Sequence, residues 1–144
     1  MIQPDTIKLL RECDAGIKMG IASIEDVEDR VESDDFRKAL QQCKRDHQDL
    51  QSQIQRALSD FQDEGKDPNL IAKGMSKMKT NLKLSIEPTD STIAELMTDG
   101  CDMGIKSLSR YLNQYEAADE RTKDIAKKLI KQEQDLSTHL RRYL

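Results

Sequence analysis

His47 and Glu133 are the residues of this chain best placed to do chemistry, because each stands in the middle of an otherwise apolar helical stripe. His47 interrupts the run Phe36, Leu40, Cys43, Leu50, Ile54, Ala57, and Glu133 interrupts Thr122, Ala126, Leu129, Leu136, Leu140. An ionisable side chain on a core face needs a partner, since its charged form is expensive without one. A carboxyl and an imidazole can serve each other, fixing the register of two helices, or they can share a ligand. Asp14 and Asp102 add carboxylates at the edges of their own stripes, within about one turn of the levels of His47 and Glu133 respectively. Together, Asp14, His47, Asp102 and Glu133 imitate in outline a dinuclear iron or manganese site. In such a site two helices of a bundle each give a carboxylate and two each give a Glu-x-x-His pair. No Glu-x-x-His occurs here: Glu133 is followed three residues on by Leu136, and His47 is preceded at the matching position by Lys44. The four are therefore weak metal candidates only, and the expectation is no catalytic residue, no cofactor and no metal. A plainer role is available to the two aspartates, because Asp14 with Lys18 and Asp102 with Lys106 have the spacing of helix-surface ion pairs.

The other reactive groups are less suggestive. Cys13 and Cys101 lie on inner stripes, where a thiol packs as a small hydrophobe. No His or Asp is spaced to activate them, and no glycine-rich phosphate loop occurs. Gly16-x-x-x-Gly20 and Gly100-x-x-x-Gly104 each place two glycines inside a helix, at a cost of roughly 1 kcal/mol per residue against Ala. Such positions let two helices approach closely or leave space beside a backbone, and close packing is the expected use. Residues 66–83 hold five lysines and one acid, Asp67, a local balance of +4 in a chain whose total is -4. With Ile71, Met75, Met78 and Leu82 on one face, this segment reads as a basic amphipathic helix whose apolar face is expected to cap the bundle.

These groups must be held by helices. Aromatic residues are 3% and charged residues 35% of the chain, with 3 prolines and no tryptophan, which is bundle composition rather than sandwich composition. Five helical segments can be read. The first runs from about Asp5 to Val31 on Leu10, Cys13, Ile17, Gly20, Ile24, Val27 and Val31. Ser33 is the expected N-cap of the second. Asp67-Pro68 opens the third and Glu87-Pro88 closes it. Asp90 or Thr92 starts the fourth, with Thr92 and Glu95 spaced as a capping box, and Ala117-Ala118-Asp119 turns into the fifth. No apolar run approaches a membrane span and no signal peptide is apparent. Three cysteines without paired spacing suit a reducing, cytoplasmic setting.

The segments repeat. Cys13-Asp14-Ala15-Gly16-Ile17-Lys18 returns as Cys101-Asp102-Met103-Gly104-Ile105-Lys106, and Gln48-Asp49-Leu50 returns as Gln134-Asp135-Leu136. The reading is one domain, residues 1–144, built from a hairpin (5–61), a crossover (62–89) and a second hairpin (90–144). Repeat symmetry then brings His47 and Glu133 toward each other near the bundle centre. Two antiparallel helical hairpins joined by one long crossover make an all-α, ferritin-like, up-down-down-up four-helix bundle. The layout resembles the ferritin-like superfamily. The stretches Lys73-Gly74-Met75-Ser76-Lys77-Met78-Lys79-Thr80-Asn81 and Ser91-Thr92-Ile93-Ala94-Glu95-Leu96-Met97 resemble an uncharacterised bacterial family of ferritin-like bundles of about this length. The expected function is non-catalytic, through binding or self-association. Its partners would be a second copy or another protein, and the net charge of -4 disfavours nucleic acid. Two alternatives stay open: a divergent di-metal (iron or manganese) oxidase or peroxidase, and an adaptor that binds anionic surfaces through the basic crossover helix.

Overall fold

A computed structural model describes residues 4–144, in which all regular structure is helical. The helices are α1 (Pro4–Val27), α2 (Asp34–Asp60), α3 (Leu70–Ile86), α4 (Asp90–Gln114) and α5 (Glu120–Leu140), with 3-10 turns at Glu28–Arg30 and Arg141–Tyr143. None of the described helices is long and apolar enough to cross a membrane.

Most boundaries fall where side-chain chemistry sets them. The Ser33 hydroxyl accepts the Phe36 N–H (3.2 Å) and the Asp119 carboxylate accepts the Thr122 N–H (2.8 Å), each satisfying a donor that the first helical turn leaves free. Two boundaries and one cap differ from expectation. α1 tightens into a 3-10 turn after Val27 instead of continuing to Val31, and α3 begins at Leu70 rather than at Pro68. The cap of α4 is Thr89, whose hydroxyl accepts the Thr92 N–H at 3.2 Å, and no Thr92–Glu95 box forms. Thr89 is the first residue after Pro88 that can offer both an extended backbone (φ -115°, ψ 158°) and a side-chain acceptor.

Corner contacts fix how the long helices lie. The Asp90 carboxylate accepts the backbone N–H groups of Glu32 and Ser33 (both 2.9 Å), so α4 starts at the α1–α2 corner. The start of α1 is tied to the α4–α5 corner: Thr6 accepts the Asp119 N–H (2.9 Å) and Asp5 accepts the Ala117 N–H (3.1 Å). The far end of α2 returns to α1, where Arg11 pairs with Asp63 just beyond the helix.

The core consists of two apolar clusters. One gathers Leu9, Leu10, Cys13, Ile17, Leu50, Ile54, Leu108 and Leu129; the other gathers Ile24, Phe36, Leu40, Cys43, Ile93, Met97, Cys101 and Leu136. Between them each long helix contributes one residue to neither: Gly20 of α1, His47 of α2, Gly104 of α4 and Glu133 of α5. The bundle is thus divided at mid-height by a layer of two ionisable side chains and two glycines.

α3 is turned the other way from expectation. Met75, Met78, Leu82 and Ile86 are 64–72% exposed, and Leu84 is the buried apolar side chain of the described part of this helix. The side chain of Ile71 lies outside the described residues. α3 is held by Leu84, which joins the second apolar cluster, by a Lys83–Glu95 ion pair (3.2 Å) and by the anchored 62–69 segment before it, and none of these requires its Met75–Ile86 row to face the bundle.

Candidate functional site

The mid-bundle layer is one connected site. His47, 0% exposed, lies 2.9 Å through Nε2 from Oε1 of Glu133 and 3.6 Å through Nδ1 from Sγ of Cys43, one turn earlier on the same helix. A carboxylate only accepts, so Nε2–H donates to Glu133. The Cys43 thiol, pushed up to about 12 by burial and then by Glu133 and nearby aspartates, keeps its proton and donates to Nδ1. Both imidazole nitrogens thus have a partner.

The glycines explain how the pair fits. A Cβ on Gly20 would stand 2.9 Å from both Cδ2 and Nε2 of His47 and 3.3 Å from Oε1 of Glu133. The imidazole therefore lies against the bare backbone of α1. Across the site, a Cβ on Gly104 would be 3.9 Å from the Glu133 carboxyl carbon, an ordinary contact, while one on Gly100 would meet nothing within 4 Å. The glycine motifs do not bring α1 and α4 into close contact. They leave room, and only at Gly20 is it filled by a side chain of the layer. Gly20→Ala is expected to lower stability by up to about 2 kcal/mol, because overpacking of about 1–3 kcal/mol exceeds the helix-propensity gain of about 1. Gly100→Ala is expected to raise stability by about 1 kcal/mol. Urea denaturation of the two variants checks the opposite signs.

The unfilled space is a cleft of about 620 Å³ between α1 and α4. Its walls include Ile24, Val27, Met97, Leu108, Leu129 and all four motif glycines; Cys43, His47, Cys101 and Glu133 form its floor. Residues 66–69 and the polar side of α3, at Ser76 and Thr80, roof it. At 12% side-chain exposure, Glu133 is the ionisable member of the His47 pair that retains some access to this space.

Asp14 and Asp102 are not brought to the layer. Asp14 is 0% exposed rather than at a stripe edge, and its carboxylate accepts from Lys18 Nζ (2.9 Å), Gln55 Nε2 (3.1 Å) and the Lys66 backbone N–H (3.0 Å). It anchors the segment after α2 onto α1. Around it Lys66 Nζ reaches Glu12 (2.6 Å) and Lys18 also reaches Asp67 (3.0 Å). Hydrogen bonds from Arg11 and then from the Gly65 N–H hold the Asp63 carboxyl below its ordinary range. Asp102 is exposed, and among the described residues it forms no ion pair with Lys106. The four metal candidates therefore do not form a donor set: two are bonded to each other, one is saturated by nitrogen donors and one faces solvent. Among the described residues no three His, Cys, Asp or Glu side chains are grouped to hold a metal ion.

Cys43 was not read from sequence as a partner of His47, although its spacing of four on one helix carried that signal. The Asp14 partners Gln55 and Lys66 carried no such signal, being far away in sequence.

The thiols are unsuited to nucleophilic work. Burial, followed by Glu12 and Asp14, pushes Cys13 up to about 12, and burial with Glu133 raises Cys101 further still. Since the thiolate is the reactive form, folded protein at pH 8 is expected to react with a disulfide reagent on the order of a thousandfold more slowly than an ordinary thiol. Full reactivity of all three should return in denaturant. A fast-reacting thiol in the folded state would contradict this.

Comparison with known proteins finds no matching family model, no matching curated protein and no matching solved structure.

Proposed function

We propose that this chain is a non-catalytic binding protein with a ferritin-like, two-hairpin layout. Its cleft between α1 and α4 takes a small, mostly apolar molecule bearing a hydrogen-bond donor for Glu133. The cleft carries this reading: its walls are largely apolar, its floor presents a carboxyl held by His47, and its volume suits a small organic molecule. The repeat supports the layout, since Gly16 with Gly104 and His47 with Glu133 occupy corresponding places in the two hairpins. The dispersed carboxylates, with Asp14 saturated by nitrogen donors and Asp102 exposed, weigh against the di-metal oxidase alternative.

A neutral apolar fluorophore, N-phenyl-1-naphthylamine, tests the cleft without involving charge. Saturable, stoichiometric binding is expected in the wild type. Gly100→Phe, placed where a new side chain has open space in front of it, should abolish binding while the protein stays folded. Absence of saturable binding, or binding unchanged by Gly100→Phe, overturns the reading.

A further inference from the structure

We infer that α3 is a docking element for an anionic lipid surface. This goes beyond the cleft, because it uses the opposite side of the helix. Met75, Met78, Leu82 and Ile86 are spaced three, four and four residues apart, which sets them in one row along three turns. All four are 64–72% exposed, so the row is unpartnered within this chain.

Charge selects the occupant. α3 (Leu70–Ile86) carries Lys73, Lys77, Lys79 and Lys83 and no acidic residue. Lys83 is committed to Glu95; among the described residues Lys73, Lys77 and Lys79 have no ion pair. A symmetric dimer formed row against row would bring two such sets of lysines together with no acid on either helix, and like charges at that distance repel. An anionic surface meets the opposite condition. A helix is only about 10 Å across, so even lysines on its far side stay within about one Debye length of a surface that the row touches at 0.1 M salt. The shape selects lipid over an acidic protein. The row is a ridge, and a ridge on a protein needs a matching groove, whereas the interfacial region of a bilayer deforms around it. An in-plane amphipathic helix with lysines beside an apolar row is the general form of such a contact.

The test is co-sedimentation of the full chain with vesicles of phosphatidylcholine containing one quarter phosphatidylglycerol, against phosphatidylcholine alone. Binding is expected to the anionic vesicles and not to the neutral ones. It should weaken about tenfold or more between about 0.1 M and about 0.5 M salt. Leu82→Glu, and separately the combined Lys73→Gln, Lys77→Gln and Lys79→Gln, should each weaken it about tenfold or more. These side chains are exposed, so unchanged circular dichroism is expected and verifies folding. Three results overturn the inference: no anionic-vesicle binding, equal binding to neutral vesicles, or full binding by Leu82→Glu. Capture by an acidic amphipathic peptide without vesicle binding would assign the row to a protein partner and also overturns it. The fluorophore titration of the cleft is independent of every one of these outcomes.

Discussion

Asp14→Ala is expected to lower the free energy of unfolding by about 1–3 kcal/mol, the cost of withdrawing a charged hydrogen-bond acceptor from its donors. The size follows from what the carboxylate satisfies. Its removal leaves the Lys66 backbone N–H and the Gln55 amide without their acceptor, and because both contacts are only part-buried, water takes up some of the loss. Lys18 loses less, since it keeps Asp67 at 3.0 Å and is partly exposed. Asp102→Ala, the same substitution in the second copy of the hexapeptide, should fall within about 0.5 kcal/mol of wild type because that side chain is exposed. Gly65→Ala gives an internal check. Gly65 has φ +85°, and a Cβ there would stand 2.3 Å from Oδ2 of Asp14. The substitution is costly for two reasons, left-handed strain of about 1–2 kcal/mol and collision with a fully buried carboxylate. In the Asp14→Ala background the collision with the carboxylate disappears, leaving the strain and a tight contact with Leu58, so the two losses should be clearly less than additive. Urea midpoints at unchanged slope measure all four variants. Equal effects of Asp14→Ala and Asp102→Ala would refute the anchoring role.

Glu133→Ala is expected to cost about 1–3 kcal/mol by leaving the Nε2–H of the buried His47 without an acceptor. Replacing both members, His47→Leu with Glu133→Leu, should cost less than the sum of the single changes and can be neutral or stabilising, because an apolar pair needs no partner. A double-mutant cycle at constant pH isolates the coupling, expected at about 1 kcal/mol or more. Gly20 qualifies the exchange. The imidazole is flat and lies within 2.9 Å of where a Cβ would stand, so a branched leucine side chain in its place must shift to fit there. Stability and binding should separate in this variant. The doubly substituted protein should stay folded yet lose affinity for any cleft ligand that donates to Glu133. Strictly additive losses would remove the pair from the account.

The residues of the polar layer were legible in sequence because the helical period exposes them. His47 and Glu133 stand at positions of alternating three-four stripes where the run demands an apolar side chain, and Gly20 takes such a position in a third. The matching repeat offsets put the first two at one level, and they meet at 2.9 Å. The caps at Ser33 and Asp119 were legible for a similar reason: their bonds span three residues, and such local chemistry is written in adjacent positions. At α4 the start at Asp90 was one of the two residues that spacing offered, but the cap is Thr89 and the expected Thr92–Glu95 box does not form, because backbone conformation after Pro88 decides the cap.

What tertiary structure alone decided concerns surroundings rather than pattern. Asp14 and Asp102 sit in nearly identical hexapeptides, yet one is fully buried and the other exposed. The difference is that the 62–69 segment crosses α1 and delivers the Lys66 N–H there, and a contact 52 residues away leaves no periodic trace. The glycine motifs announced room beside a backbone but not what would fill it. An imidazole occupies it at Gly20 and open cleft at Gly100, according to which side chains of α2 and α5 arrive there. The amphipathic pattern of α3 correctly marked an apolar row at Met75, Met78 and Leu82 but could not say which way it would face. Periodicity establishes that one side of a helix is apolar; whether the rest of the chain covers that side depends on neighbours the pattern does not contain. Here Leu84 docks in the core and the polar contacts at Lys83 and along the 62–69 segment add to it, leaving that row in solvent.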